Sequence, residues 1–383
     1  MKLSKRFSSS LLHLSLIQQS IQLLVILFLL SYASYFVENS QFGYWSKVNL
    51  YFSLGQSAIT AGFQGQMLAS RSSSSTDALK LHGFIVLLGF LYCLIACYFD
   101  FFGDLYGLGI FYFVVIYPLY VRNNVLYKTE QKIKSQIKIK TLAPVLLLPL
   151  FLLLPNNILM IYSAYYGIIV VNTVIGTLHL RIYRISYFDL EFLKRWGALS
   201  LSSYFGNLVY LGTQIVFVEY LTNNFGYNTV GLVEKSKKIS STIISKFTNY
   251  LSTVLVPIRV GEIGADMTFL DKILSMSKYV MKFLGLVALL IYLVFPAGGN
   301  TIISIYVVIL VALDSVVDFI KLDAKVHEKV VALLRIDLFR FLMYVLILWF
   351  AATFSWSVVS LYISLIAGLL ISIYGTLQIR EFR

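Results

Sequence analysis

Apolar runs of roughly twenty residues, each long enough to cross a hydrocarbon core about 30 Å thick, follow one another along the chain with only short polar breaks. They predict twelve membrane spans, at about 11–36, 48–68, 79–99, 105–121, 141–155, 158–179, 197–220, 229–256, 277–297, 300–320, 330–353 and 355–378. The predicted fold class is therefore an all-α polytopic membrane protein. The breaks alternate in charge. Arg71 and Lys80, the stretch from Arg122 and Lys128 through Lys132, Lys134, Lys138 and Lys140, the stretch Arg181 to Arg195, Lys272, the run Lys321, Lys325 and Lys329, and Arg380 with Arg383 all fall on one side. The opposite connections are short and poor in Lys and Arg: Glu38 to Lys47, Asp100 to Asp104, Pro155-Asn156-Asn157, Thr222 to Phe225, Gly298-Gly299-Asn300 and Ser355. The positive-inside bias puts the basic side, and both termini, in the cytoplasm. Six spans per half is an even number, so the halves share one orientation, related by an axis along the membrane normal. The boundary falls in the basic connection 181–196. It divides the chain into an N-terminal six-helix bundle, 1–190, and a C-terminal one, 191–383.

Composition narrows the class further. Of 383 residues, 58% are hydrophobic and only 13% charged, against about a quarter charged in soluble proteins, and the mean hydropathy is +0.80. No soluble domain of ordinary size fits between the runs. The net charge of +13 follows from the cytoplasmic bias of Lys and Arg rather than from a nucleic-acid face. Cys93 and Cys97, four apart in an apolar run, read as packing residues, because no second ligand pair accompanies them. The N-terminus, with Lys2, Lys5 and Arg6 before an apolar run, has the outline of a signal peptide, and the length of the run favours its retention as a span.

Polar side chains concentrate in spans one, two, seven and eight. Gln18 and Gln22 stand one turn apart; Gln56, Thr60 and Gln64 occupy three consecutive turns; Ser203, Asn207 and Gln214 follow in span seven. An unpaired amide in lipid costs several kcal/mol, so the stripes face other helices or a wet cavity. In span eight Lys235, Lys238, Thr242, Lys246 and Asn249 fall within a sector of about 80°. Two readings stand. One is a water-filled cationic lumen that attracts an anion; the other is snorkelling, pairing with Glu234, or a segment lying on the surface. Charges also enter spans ten and eleven: Asp314, Asp318 and Lys321 share one face, and Arg335, Asp337 and Arg340 sit opposite. Counted from the cytoplasmic edge, Asp314 and Arg335 reach similar depths and are expected to pair, with ion coupling as the alternative role for the carboxylates. His82 and His179 read as packing or interface residues.

Two triplets echo one another: Phe42-Gly43-Tyr44 after span one and Phe225-Gly226-Tyr227 before span eight, 183 residues apart, the second continuing Asn228-Thr229-Val230-Gly231 towards Pro257. With twelve spans in two halves, this pattern resembles the polysaccharide transporters of the multidrug/oligosaccharidyl-lipid/polysaccharide exporter (MOP) superfamily, in particular Wzx-type O-antigen flippases. The resemblance covers the whole chain. It implies a MATE-like fold of two bundles around a cavity lined by spans one, two, seven and eight, in the bacterial inner membrane. It also implies a cargo of oligosaccharide joined by pyrophosphate to a polyprenyl lipid, with membrane lipid and other polysaccharide-assembly proteins as partners. No cofactor, metal, catalytic group or nucleic acid is implied. The acid expected at mid-depth in span seven is missing, the local sequence being Gly212-Thr213-Gln214. On the resemblance the lysines of span eight meet pyrophosphate, and the amides of spans one, two and seven meet sugar hydroxyls. The alternatives are a multidrug or small-molecule exporter of the same superfamily, which needs acidic lumen groups, and a membrane polymerase or glycosyltransferase, which needs larger outer loops.

Overall fold

A computed structural model describes residues 17–18, 20–25, 28, 37–60, 62–64, 67, 73–130, 132–153, 158–182, 186–261, 302–311, 313–314 and 330–381. All regular structure among the described residues is helical. The helices are α1 (Asn39–Thr60), α2 (Ser75–Tyr98), α3 (Tyr106–Phe111), α4 (Tyr117–Thr129), α5 (Ile133–Leu153), α6 (Ile158–Leu180), α7 (Leu190–Gly261), α8 (Ile302–Val311), α9 (Val330–Thr353) and α10 (Val358–Glu381). A π-helical turn, Tyr112–Ile116, joins α3 to α4.

α2 shows why these sequences make membrane helices. It starts on a capping box: the Asp77 N–H donates to the Ser74 hydroxyl (3.1 Å), and the Ser74 N–H donates to the Asp77 carboxylate (3.0 Å). Its buried stripe carries Leu81, Ile85, Gly89, Tyr92 and Ala96, while Leu87, Phe90, Leu91, Leu94 and Tyr98 are exposed on the other side. Both faces are apolar. A soluble helix turns a polar face outwards, so this exterior is made for lipid. The same holds for α9, whose outer side presents Leu338, Leu342, Leu346 and Trp349.

The chain forms two compact units: an N-terminal unit of Met1–Val25 with Lys47–Leu211, and a C-terminal unit of Ile26–Ser46 with Gly212–Arg383. The N-terminal unit is centred on rings. Phe52 lies 4.9 Å from Phe102, 5.2 Å from Phe113 and 4.9 Å from Tyr166, centroid to centroid. Phe217 meets Tyr362 edge-on at 5.9 Å in the C-terminal unit, and the Ser236 hydroxyl donates to that of Ser304 at 3.1 Å.

Three connections differ from the sequence expectation. The outer loop expected at Glu38 to Lys47 is helix: α1 begins at Asn39, and the Phe42 N–H donates to the Glu38 carbonyl at 3.0 Å. The loop expected at Thr222 to Phe225 is also helix. The corner there is the single residue Gly226 (φ 77°, ψ 167°), a backbone region closed to side-chain-bearing residues, and it splits α7 into two arms. On the opposite side, the basic loop expected from Arg122 to Lys140 shrinks to a short turn between Thr129 and Ile133. Helical hydrogen bonding extends through polar residues that hydropathy alone assigns to loops. Arg122 consequently lies 2% exposed inside α4, its Nε and Nη2 donating to the Asn123 Oδ1.

Candidate functional site

The two Phe-Gly-Tyr triplets come together in the C-terminal unit. A Cβ added to Gly43 would stand 2.2 Å from the Tyr227 carbonyl oxygen, and one added to Gly231 would stand 1.7 Å from the Asn39 carbonyl oxygen. Backbone therefore lies directly on backbone, a contact open only to glycine at both positions. Tyr44 and Tyr227 meet edge-on at 6.0 Å beside it. One turn further along, the Lys235 ammonium donates to the Val37 carbonyl at 2.5 Å and lies 5.6 Å from the centre of the Phe42 ring. The Lys238 ammonium lies 5.5 Å from the centre of the Trp45 ring. Segment 37–46 and the second arm of α7 thus form a clamp. Two of its fastenings are ammonium groups over aromatic faces, each worth about 0.5–2 kcal/mol depending on desolvation.

Lys235 is 3% exposed, so in this conformation it serves the clamp and not an open lumen. The carboxylate of Glu234, 1% exposed, pairs with Lys237 at 3.1 Å rather than with Lys235, because three residues on is the next position along its own face. Lys237 also donates to the Gln214 Oε1 at 2.5 Å. Gln214 and Lys237 flank the Gly226 corner almost symmetrically, so this bond shows the two arms of α7 folded back side by side. Lys237 thus bridges the Glu234 carboxylate and the Gln214 amide oxygen across the two arms. The side chains of Asn207, Lys246, Asn249, Arg335 and Asp337, and all of Asp318, lie outside the described residues.

In the N-terminal unit the amide stripes find partners on other helices. The Gln22 side-chain N–H donates to the Lys140 carbonyl at 3.0 Å, and that of Gln56 donates to the Tyr112 hydroxyl at 2.5 Å. The Thr60 hydroxyl donates back to the Gln56 carbonyl at 2.8 Å. Gln18 is buried, whereas Gln22, Gln56, Thr60 and Gln64 keep partial exposure. Tyr112, Tyr117, Tyr120 and Lys140, which border this stripe, were hidden in the sequence: the tyrosines sat in an unremarkable apolar run and Lys140 in a predicted loop.

Asp314 pairs with Arg340 at 2.5 Å; the side chain of Arg335, the partner expected from its depth, lies outside the described residues. His82 is buried, and the His179 Nδ1 lies 3.4 Å from the Tyr127 hydroxyl. Near the start of α2 Lys80 pairs with Asp189 at 2.5 Å, and this hydrogen bond, with the Phe192 N–H, holds the Asp189 carboxyl below its ordinary range.

Solved structures share this architecture. A MATE in complex with Br-NRF superposes with a TM-score of 0.56 over 98% of this chain and 94% of that one, at 15% identity. An inward-facing multidrug resistance MATE family transporter of the MOP superfamily gives 0.52 over 96% and 97%, also at 15%. A MATE in complex with MaD3S gives 0.52 over 98% and 95%, again at 15%. This is the MATE fold. The chain's own apolar runs and the exposed apolar faces of α2 and α9 are those of a multi-pass membrane protein. No protein-family model and no curated protein sequence matches the chain.

Proposed function

We propose that the chain is a transporter, a flippase that carries a polyprenyl-pyrophosphate-linked oligosaccharide from the cytoplasmic to the outer leaflet of the bacterial inner membrane, with both termini cytoplasmic. The product would feed a surface polysaccharide such as O-antigen or capsule. The observation that carries this reading is the amide-rich stripe of the N-terminal unit. Gln22, Gln56, Thr60 and Gln64 are partly exposed, neutral and capable of both donating and accepting, which suits sugar hydroxyls better than a drug cation. The span-eight lysines supply positive charge for pyrophosphate once the clamp releases them. Rocking between two closures then needs a contact that forms and breaks as a unit, and the Gly43–Gly231 clamp has that character.

A second reading has its own support. One neighbour is a multidrug resistance transporter, and Glu234 is a buried acid of the kind a cation exporter uses. Deletion of the gene separates the two. A flippase leaves lipid-linked oligosaccharide accumulated in the membrane, measured by mass spectrometry, with drug susceptibility unchanged. An exporter leaves lipid-linked glycan at wild-type levels and lowers the inhibitory concentration of its drugs.

A further inference from the structure

The π-helical turn at Tyr112–Ile116 realigns three tyrosines. In a regular α-helix residues five apart point about 140° away from each other, so Tyr112 and Tyr117 would diverge. The wider turn brings Tyr112 and Tyr117 to 5.6 Å with their planes 31° apart, and Tyr120 follows at 6.3 Å and 24°. The result is a row of roughly parallel rings along one side of the helix. Such turns recur at functional sites because they cost helical hydrogen bonding and persist where the realigned side chains matter.

What surrounds the row is polar. Gln56 is tied to its inner end, donating to the Tyr112 hydroxyl, while the Tyr117 hydroxyl approaches the Gln56 carbonyl at 3.5 Å. At the outer end the Lys140 ammonium stands 6.0 Å from the centre of the Tyr120 ring, and the Lys140 carbonyl accepts from Gln22. Tyr112 and Tyr117 are buried and form the backing; Tyr120, Lys140, Gln22 and Gln56 are partly exposed. A flat aromatic face, two amides and one cation on rigid helices are the parts that recognise a sugar next to a phosphate. The C–H face of a pyranose lies on an aromatic ring, amides bond its hydroxyls, and an ammonium meets the phosphate oxygens.

We propose that Tyr120, Gln56, Gln22 and Lys140 form a glycan-phosphate subsite in the N-terminal unit, with Tyr120 stacking on the sugar nearest the pyrophosphate and Lys140 holding the phosphate. This deepens the flippase reading and rests on it. Lys140 is seven residues past the start of α5, near the predicted cytoplasmic edge, so the subsite belongs to loading from the cytoplasmic leaflet.

The test is a binding assay on the purified full chain in detergent. Its probes are polyprenyl pyrophosphate carrying one N-acetylhexosamine, the same lipid without sugar, and inorganic pyrophosphate. The wild type binds the sugar-bearing lipid at least fivefold more tightly than the sugar-free one. Tyr120→Ala and Tyr120→Leu, the latter matched in bulk, abolish that preference, and Tyr120→Phe restores it. Lys140→Gln weakens both lipids at least fivefold and leaves their ratio unchanged, while Tyr187→Ala, at a loop position 90% exposed, changes neither. A sugar preference that survives both Tyr120→Ala and Tyr120→Leu overturns the subsite and leaves the flippase reading standing. A wild type that binds neither lipid overturns both. Binding of inorganic pyrophosphate as tight as that of the lipids reduces the site to a generic anion contact and overturns the sugar assignment.

Discussion

The clamp of the C-terminal unit and the tyrosine-amide row of the N-terminal unit are built from similar residues, yet they use them oppositely. In the clamp, Lys235 is buried and committed to the Val37 carbonyl and the Phe42 ring, Lys238 lies over the Trp45 ring while keeping partial exposure, and the backbones touch at Gly43 and Gly231. In the row, Lys140, Tyr120 and Gln56 remain partly exposed. Lys235, held against a buried carbonyl, meets protein in this conformation, while the side chains of Lys246 and Asn249 lie outside the described residues.

The comparison is broken most severely by removing a charge that the C-terminal unit keeps for itself. Arg340→Gln leaves Asp314 without its partner and is expected to cost about 3 kcal/mol, since stranding one ion of a buried pair costs roughly 3–5 kcal/mol and Asp314 keeps some water. Thermal melting in detergent measures it, and the double variant Arg340→Met with Asp314→Leu should recover most of the loss. Recovery failing there would mean that the arginine matters for something besides the pair.

Next comes the clamp itself. Gly231→Ala places a methyl group on the Asn39 carbonyl and should cost about 1–3 kcal/mol of closure, lowering surface glycan at least tenfold at normal protein level. Gly212→Ala, with open space around it, should stay within twofold. Equal effects at the two glycines would dissolve the clamp. Lys235→Met is milder, because loss of the bond to Val37 is offset by removal of a buried charge: about 1 kcal/mol. A cysteine pair at Tyr44 and Tyr227 should crosslink less readily in that variant, and undiminished crosslinking would assign Lys235 no part in the closure.

The smallest effect belongs to the exposed Lys80–Asp189 pair. Asp189 has a lowered carboxyl pKa, so its stabilisation is complete above the unfolded carboxylate's range and is lost as pH falls through the lower folded value. Lys80→Ala should therefore shift melting slightly at pH 7 in low salt and not at all in strong acid or high salt. A shift that grows on acidification would reverse the assignment.

The spans that fall on described residues were legible, because a long apolar run satisfies its own backbone in lipid as a helix; span 277–297 and most of span 11–36 lie outside the described residues. The Phe-Gly-Tyr echo was legible too, as a repeat, but its meaning was not. Nothing in the one-dimensional pattern says that Gly43 and Gly231 carry backbones into contact. Lys140 and Arg122 were misread as loop residues, since hydropathy ends a span where charge begins although the helix continues. The tyrosine row was invisible for a sharper reason: its alignment depends on a π-helical turn that resets the angular register, so a count at 100° per residue scatters its members.

The most direct measurement is flipping in proteoliposomes that contain only this protein and a polyprenyl-pyrophosphate-linked N-acetylhexosamine, read by the fraction of sugar that becomes accessible to an external lectin. The account predicts transfer by the wild type and by Gly212→Ala, and transfer at least tenfold slower with Gly231→Ala. No transfer by the wild type, or transfer by Gly231→Ala at the wild-type rate, would contradict it.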